Sequence, residues 1–468
     1  MHFTDEQAAA ITLHDRNVIV TAGAGSGKTR VLVERYLALL DSHRDWPLPS
    51  VLAITFTDKA AREMRDRVRA RIEERIAEAA AAGDRSTLDH WLERQAELTA
   101  ARISTIHTLC AQVLRAHPAE AEIDPGFEVL DENEAPLVLE DAIEQALARL
   151  GRDDHPAAEL LARYGVSEVR AVLREFAASG KADLALGALD AGPDTLLDGW
   201  RKGWQDDMRA RVDALRGDPD WRAALDAVPP GILPPDDKLA DMWRLVHARR
   251  DGLLTCEPDI FFALAQETIA AIKLNVGSAE KWGNTERLEE AKAVLRYIRD
   301  GLNTALDKCP PPICERDEEA ARLLGLWRDA IELAAKTYQG AKTARAALDF
   351  DDLESRARRL LDSAHGVVAF YGDEIRHILV DEFQDTNLAQ RDIVYHLAGV
   401  GRAGAEGRLF VVGDPKQSIY GFRGADVSVF GSVRDDFVAS GGQDLPLSTS
   451  FRAHSRLVAA CNAIFGRI

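Results

Sequence analysis

Residues 22–29 read AGAGSGKT: small, conformationally free positions followed by a lysine and a hydroxyl. Such a stretch can curl so that successive backbone N–H groups face one anion. A helix starting directly after it adds the positive end of its dipole. In that setting Ala22, Gly23, Ala24, Gly25, Ser26 and Gly27 form a phosphate cradle. Lys28 reaches the β- and γ-phosphates of a nucleotide, and the Thr29 hydroxyl holds Mg²⁺. The first position is alanine where the usual pattern has glycine. Far downstream, residues 377–385 (HILVDEFQD) run from an apolar stretch into two adjacent carboxylates. At the end of a strand Asp381 is suited to bind Mg²⁺, and Glu382 to polarise an attacking water. Alone, that acidic pair also fits a solvated turn. Paired with the phosphate cradle it completes one nucleotide site.

These residues need elements that bring them together. Both ends of the chain alternate short β-branched runs with amphipathic segments, the pattern of a parallel α/β sheet. Strands are expected at residues 17–21, 51–57, 102–105, 378–380, 409–412 and 446–447, with helices over 28–40, from 59 onward and over 106–115. The middle, residues 116–344, is rich in Ala, Leu, Glu and Arg at helical spacing, and is broken by Pro/Gly punctuation at GDPDW, VPPGILPPDD and CPPPIC. The expected architecture is a parallel P-loop α/β sheet built from 1–115 and 345–440, a large helical insertion over 116–344, and a further domain opening at 441–468. The insertion accounts for the long separation between Lys28 and Asp381.

Composition narrows the classes. The chain has 468 residues, 46% hydrophobic and 29% charged, which excludes a collagen-like or largely disordered polymer. No apolar run reaches the roughly 18–20 residues of a membrane span, and the start, MHFTDEQAAA, lacks a secretory signal. Five scattered cysteines suit a reducing cytosol better than a disulfide framework. The net charge of −19 argues against general polyanion binding, yet it averages over uneven blocks. Residues 120–144 hold ten carboxylates and no Lys or Arg, whereas 59–75 hold seven Lys or Arg against four carboxylates.

Further segments carry a family resemblance. FTDEQ (3–7), TFTDKAAREMRDRV (55–68), STIHTLCAQVLR (104–115), ALDFDDL (347–353), VVGDPKQSIYGFRGAD (411–426) and LSTSFR (447–452) occur in order around the two motifs above. Together they resemble the UvrD/RecB-type superfamily 1 DNA helicases, and within them the helicase component of bacterial AddA/RecB helicase–nucleases. The resemblance implies a RecA-like fold for the core over 1–115 and 345–440 and the truncated start of a second RecA-like domain at 441–468. It implies ATP and Mg²⁺ as cofactors and a 3′-to-5′ motor acting on single-stranded or end-resected double-stranded DNA. It also implies a role in repair or recombination, a partner in the form of a possible second helicase–nuclease subunit, and no membrane association. It makes Gln7 the adenine reader, Gln417 a γ-phosphate sensor, Arg452 an arginine finger, Phe451 an adenine stacker and Arg30 a weaker nucleotide contact. On the DNA side it gives Phe56, Tyr420 and Phe422 as base-stacking residues, and Thr57, His107 and Arg423 as backbone contacts or loop braces.

Plainer readings stand beside these. Phe56, Tyr420 and Phe422 also have a reading as core, and His107 as the brace of a turn. The basic helix from Lys59 would serve as a solvated face, and Trp243, Trp282 and Trp327 as helical packing. Cys309 and Cys314 form C-x₄-C without a second pair. Because the chain stops at Ile468, sixteen residues after Arg452, the second functional reading is an incomplete ATP- and DNA-binding module, catalytically weak alone. An unrelated P-loop phosphotransferase would leave VVGDPKQSIYGFRGAD unexplained.

Overall fold

Aliphatic and β-branched runs form six parallel strands: β1 (Val18–Ala22), β2 (Val51–Thr55), β3 (Ile103–Thr105), β6 (His377–Val380), β7 (Leu409–Gly413) and β8 (Gln443–Leu447). The computed structural model describes residues 3–152, 155–402, 404–421, 424–452 and 455–466. The strands lie in the order β3-β2-β6-β7-β1-β8, with Val20 opposite Val412 and Ile54 opposite Val380. Side chains alternate across a strand, so the sheet has two apolar faces. Ile19, Leu52, Ile54, Ile378, Val380 and Val411 belong to one core, whereas Val18, Val20, Val51, Ala53, Leu379 and Val412 belong to the other.

Helices cover both faces, as an all-parallel sheet requires. The second core is closed by residues of α1 (Asp5–Thr12), α2 (Lys28–Ser42), α3 (Asp58–Ala82) and α4 (Arg85–Ala96). The first is closed by α5 (Ile106–Ala116), α15 (Phe350–Ser363), α16 (His365–Glu374), α17 (Leu388–Ala398) and α18 (Val427–Ala439). Every strand is parallel, so every strand ends at the same edge of the sheet. Motif segments follow the ends of β1, β2, β3, β6, β7 and β8.

The chain divides into two compact units, Met1–Asp141 with Tyr338–Ile468, and Ala142–Thr337. It passes between them within α6 (Glu134–Leu150) and α14 (Glu315–Ala344). The second unit is helical, with α7 (Ala158–Phe176), α8 (Ser179–Leu189), α9 (Pro193–Gly217), α10 (Pro219–Leu225), α11 (Lys238–Thr255), α12 (Pro258–Ala271) and α13 (Thr285–Leu306). Trp243 and Trp282 lie in its apolar core with Trp204, Trp221 and Phe261, while Trp327 is half-buried against Tyr164. Cys309 Sγ lies against Met208 and Cys314 is exposed. Among the described residues no helix is long and apolar enough to cross a membrane.

The expected boundaries shift in two places. Residues 116–141 and 338–344 group with the α/β unit rather than the helical one. Their attachment includes a two-stranded parallel pair, β4 (Glu128–Val129) on β5 (Ala347–Leu348), and the side chain of Phe127 in the sheet core. The segment expected to open a further domain at 441 begins instead with β8, which pairs along β1 from Val18↔Gln443 to Ala22↔Leu447 and so covers an edge that would otherwise be open. After it, α19 (Ser455–Phe465) exposes Leu457, Ile464 and Phe465.

The ALDFDDL segment explains itself by charge burial. Asp349 caps α15 in a reciprocal capping box with Asp352. The fully buried Lys342 ammonium of α14 lies 2.7 Å from Asp349 and 2.5 Å from Asp352, and Tyr338 donates to Asp349 at 2.8 Å. Removing one member of such a cluster strands the others. Lys342→Met is expected to destabilise the protein by about 3–5 kcal/mol. Urea denaturation reads this directly, and an unchanged midpoint would show that the ammonium does not hold the carboxylates.

Candidate nucleotide and DNA site

The turn after β1 owes its shape to two glycines in the left-handed region, Gly25 (φ 76°) and Gly27 (φ 86°). Ser26 N donates to Gly23 O at 3.2 Å, closing the turn. The first residue of α2 is Lys28, and its N-cap, Gly27, offers no side-chain cap. The first N–H groups of α2 therefore keep their capacity for an anion. The Ser26 hydroxyl is buried with no hydrogen-bond partner, a second unspent donor in the same turn.

At the end of β6 the backbone of Asp381 is tied to the sheet by its N–H on Ile54 O, 2.9 Å. Glu382 then takes a left-handed conformation (φ 49°) that a side chain rarely adopts, and such strain concentrates at functional sites. The outcome is a direct ion pair: Lys28 Nζ lies 2.8 Å from Glu382 Oε2 across 354 positions of chain. The Lys28 side chain is 11% exposed and that of Glu382 36%. Burial, and next the neighbouring Glu382 carboxylate, push Asp381 up to about 7 against the pull of the Lys28 ammonium. Two adjacent, half-buried acids beside a phosphate-type turn form a setting that favours a cation.

The segment after β8 closes over the same turn. Ser448 donates from N and Oγ to the Glu6 carboxylate at 2.8 and 2.7 Å. Ser450 Oγ donates to Ala24 O at 2.9 Å, and Phe451 N to Gly25 O at 2.8 Å. An added Cβ at Gly25 would fall 2.4 Å from Arg452 Cβ, so only glycine admits this approach. Arg452 is thus placed at the cradle, and the Phe451 ring is 62% exposed. Gln7 is buried: its Nε2 donates to Ser26 O at 2.9 Å and its Oε1 accepts from Thr4 N. The Arg30 guanidinium stacks over Phe3 at 4.2 Å. Thr29 sits in the first turn of α2.

Past β2 and β7 lie the aromatic residues. Phe56 and Tyr420, both half-buried, meet with ring centroids 4.8 Å apart. Thr57 is the exposed N-cap of α3, accepting from Ala60 N at 3.1 Å. Phe422 and Arg423 lie outside the described residues. Gln417 Nε2 donates to Asp414 Oδ2 at 2.6 Å. Most basic residues of α3 are engaged within the protein. Arg65 donates to Ile103 O, Arg67 pairs with Glu63, Arg69 with Asp66, Arg71 with Glu34 and Arg75 with Glu34 and Asp41. The plainer reading of that helix, as a solvated and ion-paired face, fits these contacts.

Comparison with known proteins decides the family. Residues 3–438 match the UvrD/REP helicase N-terminal domain. The chain belongs to this family. It is also similar to an ATP-dependent helicase/nuclease subunit from Syntrophomonas wolfei, with 29% identity over 99% of this chain and 38% of the relative. The proteins of the same name from Pelotomaculum thermopropionicum and Bacillus licheniformis give 30% identity over 100% of this chain and 38% of the relative, and 28% over 100% and 39%. The chain therefore spans about two-fifths of the length of the curated relatives it matches.

In this UvrD/REP-type domain the structure brings together Lys28, Asp381 and Glu382, with Gln7 and Arg452 at the same turn. It does not present His107 as a free contact. His107 Nε2 lies 2.8 Å from Glu354 Oε1, and its ring stacks on Phe350 at 4.3 Å. Glu354 also accepts from Asn387 at 2.8 Å and Gln390 at 2.6 Å, so it joins α5, α15 and α17. Burial pushes its carboxyl up, but the bonds from His107, Gln390 and Asn387 outweigh that and hold it below the usual range. Glu354 escaped the sequence reading because its partners lie 247, 33 and 36 positions away. His107→Ala is expected to cost about 1–3 kcal/mol, the loss of a bond to a buried carboxylate. Chemical denaturation checks this, and a change under about 0.5 kcal/mol, the size of an ordinary surface substitution, would remove the brace.

Proposed function

We propose that this chain is the ATP-binding part of a DNA motor that travels 3′-to-5′ on single-stranded DNA and processes double-strand break ends in repair or recombination. The observation that carries the reading is the Lys28–Glu382 pair at the common edge of β1 and β6. An ammonium, an uncapped helix start and two carboxylates at one sheet edge are the parts that a nucleoside triphosphate needs. The relatives are named as ATP-dependent helicase/nuclease subunits, which supports the same activity and supports a partner in the form of a second helicase–nuclease subunit.

In this reading the residues divide the work. The cradle from Ala22 to Thr29 and the Lys28 ammonium bind the triphosphate, with Gln7, Arg30 and Phe451 on the nucleoside side. The site fits Mg²⁺: Thr29 and Asp381 would hold it, since desolvation and the adjacent Glu382 carboxylate both push the Asp381 carboxyl up and a cation would relieve them. When bound, Mg²⁺ neutralises charge on the phosphate oxygens. Glu382 takes the proton of the attacking water, Gln417 reports the γ-phosphate and Arg452 offsets charge on the transferring group. Phe56, Tyr420 and Phe422 grip bases by stacking, which tolerates any sequence and contributes about 1–3 kcal/mol per base. Thr57 and Arg423 contact the strand backbone or order the loops that carry these rings, while His107 braces α5 against α15 through Glu354.

The test is a pair of variants. Lys28→Ala should weaken binding of a fluorescent ATP analogue at least about tenfold, by removal of a charge-assisted phosphate contact. Glu382→Gln should retain nucleotide binding and lower DNA-stimulated hydrolysis about 10²–10⁴-fold, the usual contribution of a general base. Normal hydrolysis by Glu382→Gln would reassign the base. Unaltered nucleotide binding by Lys28→Ala would refute the site.

A further inference from the structure

Gln384, two residues beyond Glu382, is 2% exposed, and its side-chain amide is engaged at both ends. Nε2 donates to Glu382 Oε2 and to Asp385 Oδ2, each at 3.0 Å. Oε1 accepts from the backbone N–H of Asp414 at 2.8 Å. Asp414 is the residue to which Gln417 is tied, by Nε2 on Oδ2 at 2.6 Å and by N on the main-chain carbonyl at 2.8 Å. Ser418 Oγ donates to the main-chain carbonyl of Gln384 at 3.2 Å. The fit is tight: a Cβ at Gly413 would fall 2.5 Å from Gln384 Oε1, so the end of β7 is bare where the amide lies.

We infer that Gln384 is a positioning residue that couples the nucleotide pocket to the strand-gripping loop, by tying the Glu382 carboxylate to Asp414 through one rigid amide. The inference rests on the ATP and DNA reading given above. Its physical basis is competition at one atom. Lys28 Nζ and Gln384 Nε2 both donate to Glu382 Oε2. A triphosphate that draws Lys28 away changes the charge and the donors on that oxygen. A buried amide cannot give up an acceptor without finding another. Asp385 supplies the alternative: its Oδ2 already shares the amide, and its Oδ1 is buried with no partner. The amide is planar, so a shift of Nε2 between Glu382 and Asp385 swings Oε1 against Asp414 N. The loop from Asp414 to Gly421 moves with that bond, and it carries Tyr420 against Phe56. One element with two arrangements, biased from both sides, is what coupling between sites requires.

The experiment measures coupling itself. The affinity of this chain for a fluorescent oligothymidylate is titrated with and without a non-hydrolysable ATP analogue and Mg²⁺. The wild-type ratio of the two affinities is expected to differ from one by about fivefold or more. Gln384→Met keeps the shape and deletes all three side-chain bonds. Each ligand alone should then bind within about threefold of wild type, while the ratio falls to about one. Gln384→Glu keeps an acceptor for Asp414 N but sets a like charge beside Glu382, and it should uncouple in the same way. Thermal melting identifies a variant that fails to fold, and the other variant then carries the test. A folded variant that retains the wild-type ratio overturns the inference, as does one that loses binding of each ligand separately, which marks a purely structural role. A wild-type chain that binds neither ligand refutes the underlying ATP and DNA reading instead.

Discussion

An ammonium and two adjacent, half-buried carboxyl groups meet at one edge of a sheet, and this concentration of charge is what the rest of the α/β unit has to support. Desolvated charges are expensive unless their partners are fixed. Here the partners come from opposite ends of the sequence, Lys28 from the start of α2 and Glu382 from the end of β6. Neither loop could hold its position alone. β1 and β6 are locked in register through β7, with Ile19 opposite Val411 and Val380 opposite Val411 as well. Parallel pairing therefore sets where the lysine meets the acid.

The same edge explains why so many chemically distinct segments converge. Loops following β1, β2, β6, β7 and β8 all emerge there, as ligand sites in open parallel sheets do. The segment beyond β8 is bonded to the cradle at Ala24 and Gly25 and to α1 at Glu6. The β2 and β7 loops touch through Phe56 and Tyr420. Within one layer of loops, the glycine-rich turn and the aromatic pair are only a few bonds apart.

How much of this was legible in sequence depends on whether an interaction is local. The cradle, the strands and α2 were readable because turn glycines and β-branched runs declare themselves within a few residues. Strand ends differ by one to three positions, as β2 ending at Thr55 and β8 beginning at Gln443 illustrate. The assignment of β8 was not readable, since Gln443 and Leu445 are only partly buried and nothing in QDLPL names its neighbour. β4 and β5, each two residues long, carry no periodicity at all. Gln384 and Glu354, the partner of His107, were invisible for a related reason. Each is a polar side chain whose meaning lies in what the fold sets beside it. The basic stretch of α3 shows the converse: its charge was legible, but the carboxylates that occupy it on α2, Glu34 and Asp41, were not.

Strand order also dictates how this unit must assemble. β1 and β2 are not neighbours; β6 and β7 stand between them. When the ribosome has delivered β1, β2 and β3, the two central places of the sheet are still vacant, and the chain that fills them arrives only after residue 377. At about 5–20 residues per second, that interval between β2 and β6 lasts about 15–65 s. Throughout it, β1 and one side of β2 present unpaired, aliphatic strand edges. The nascent protein thus carries a prolonged aggregation hazard that the finished one conceals, and the helical unit, complete by residue 337, is free to fold first.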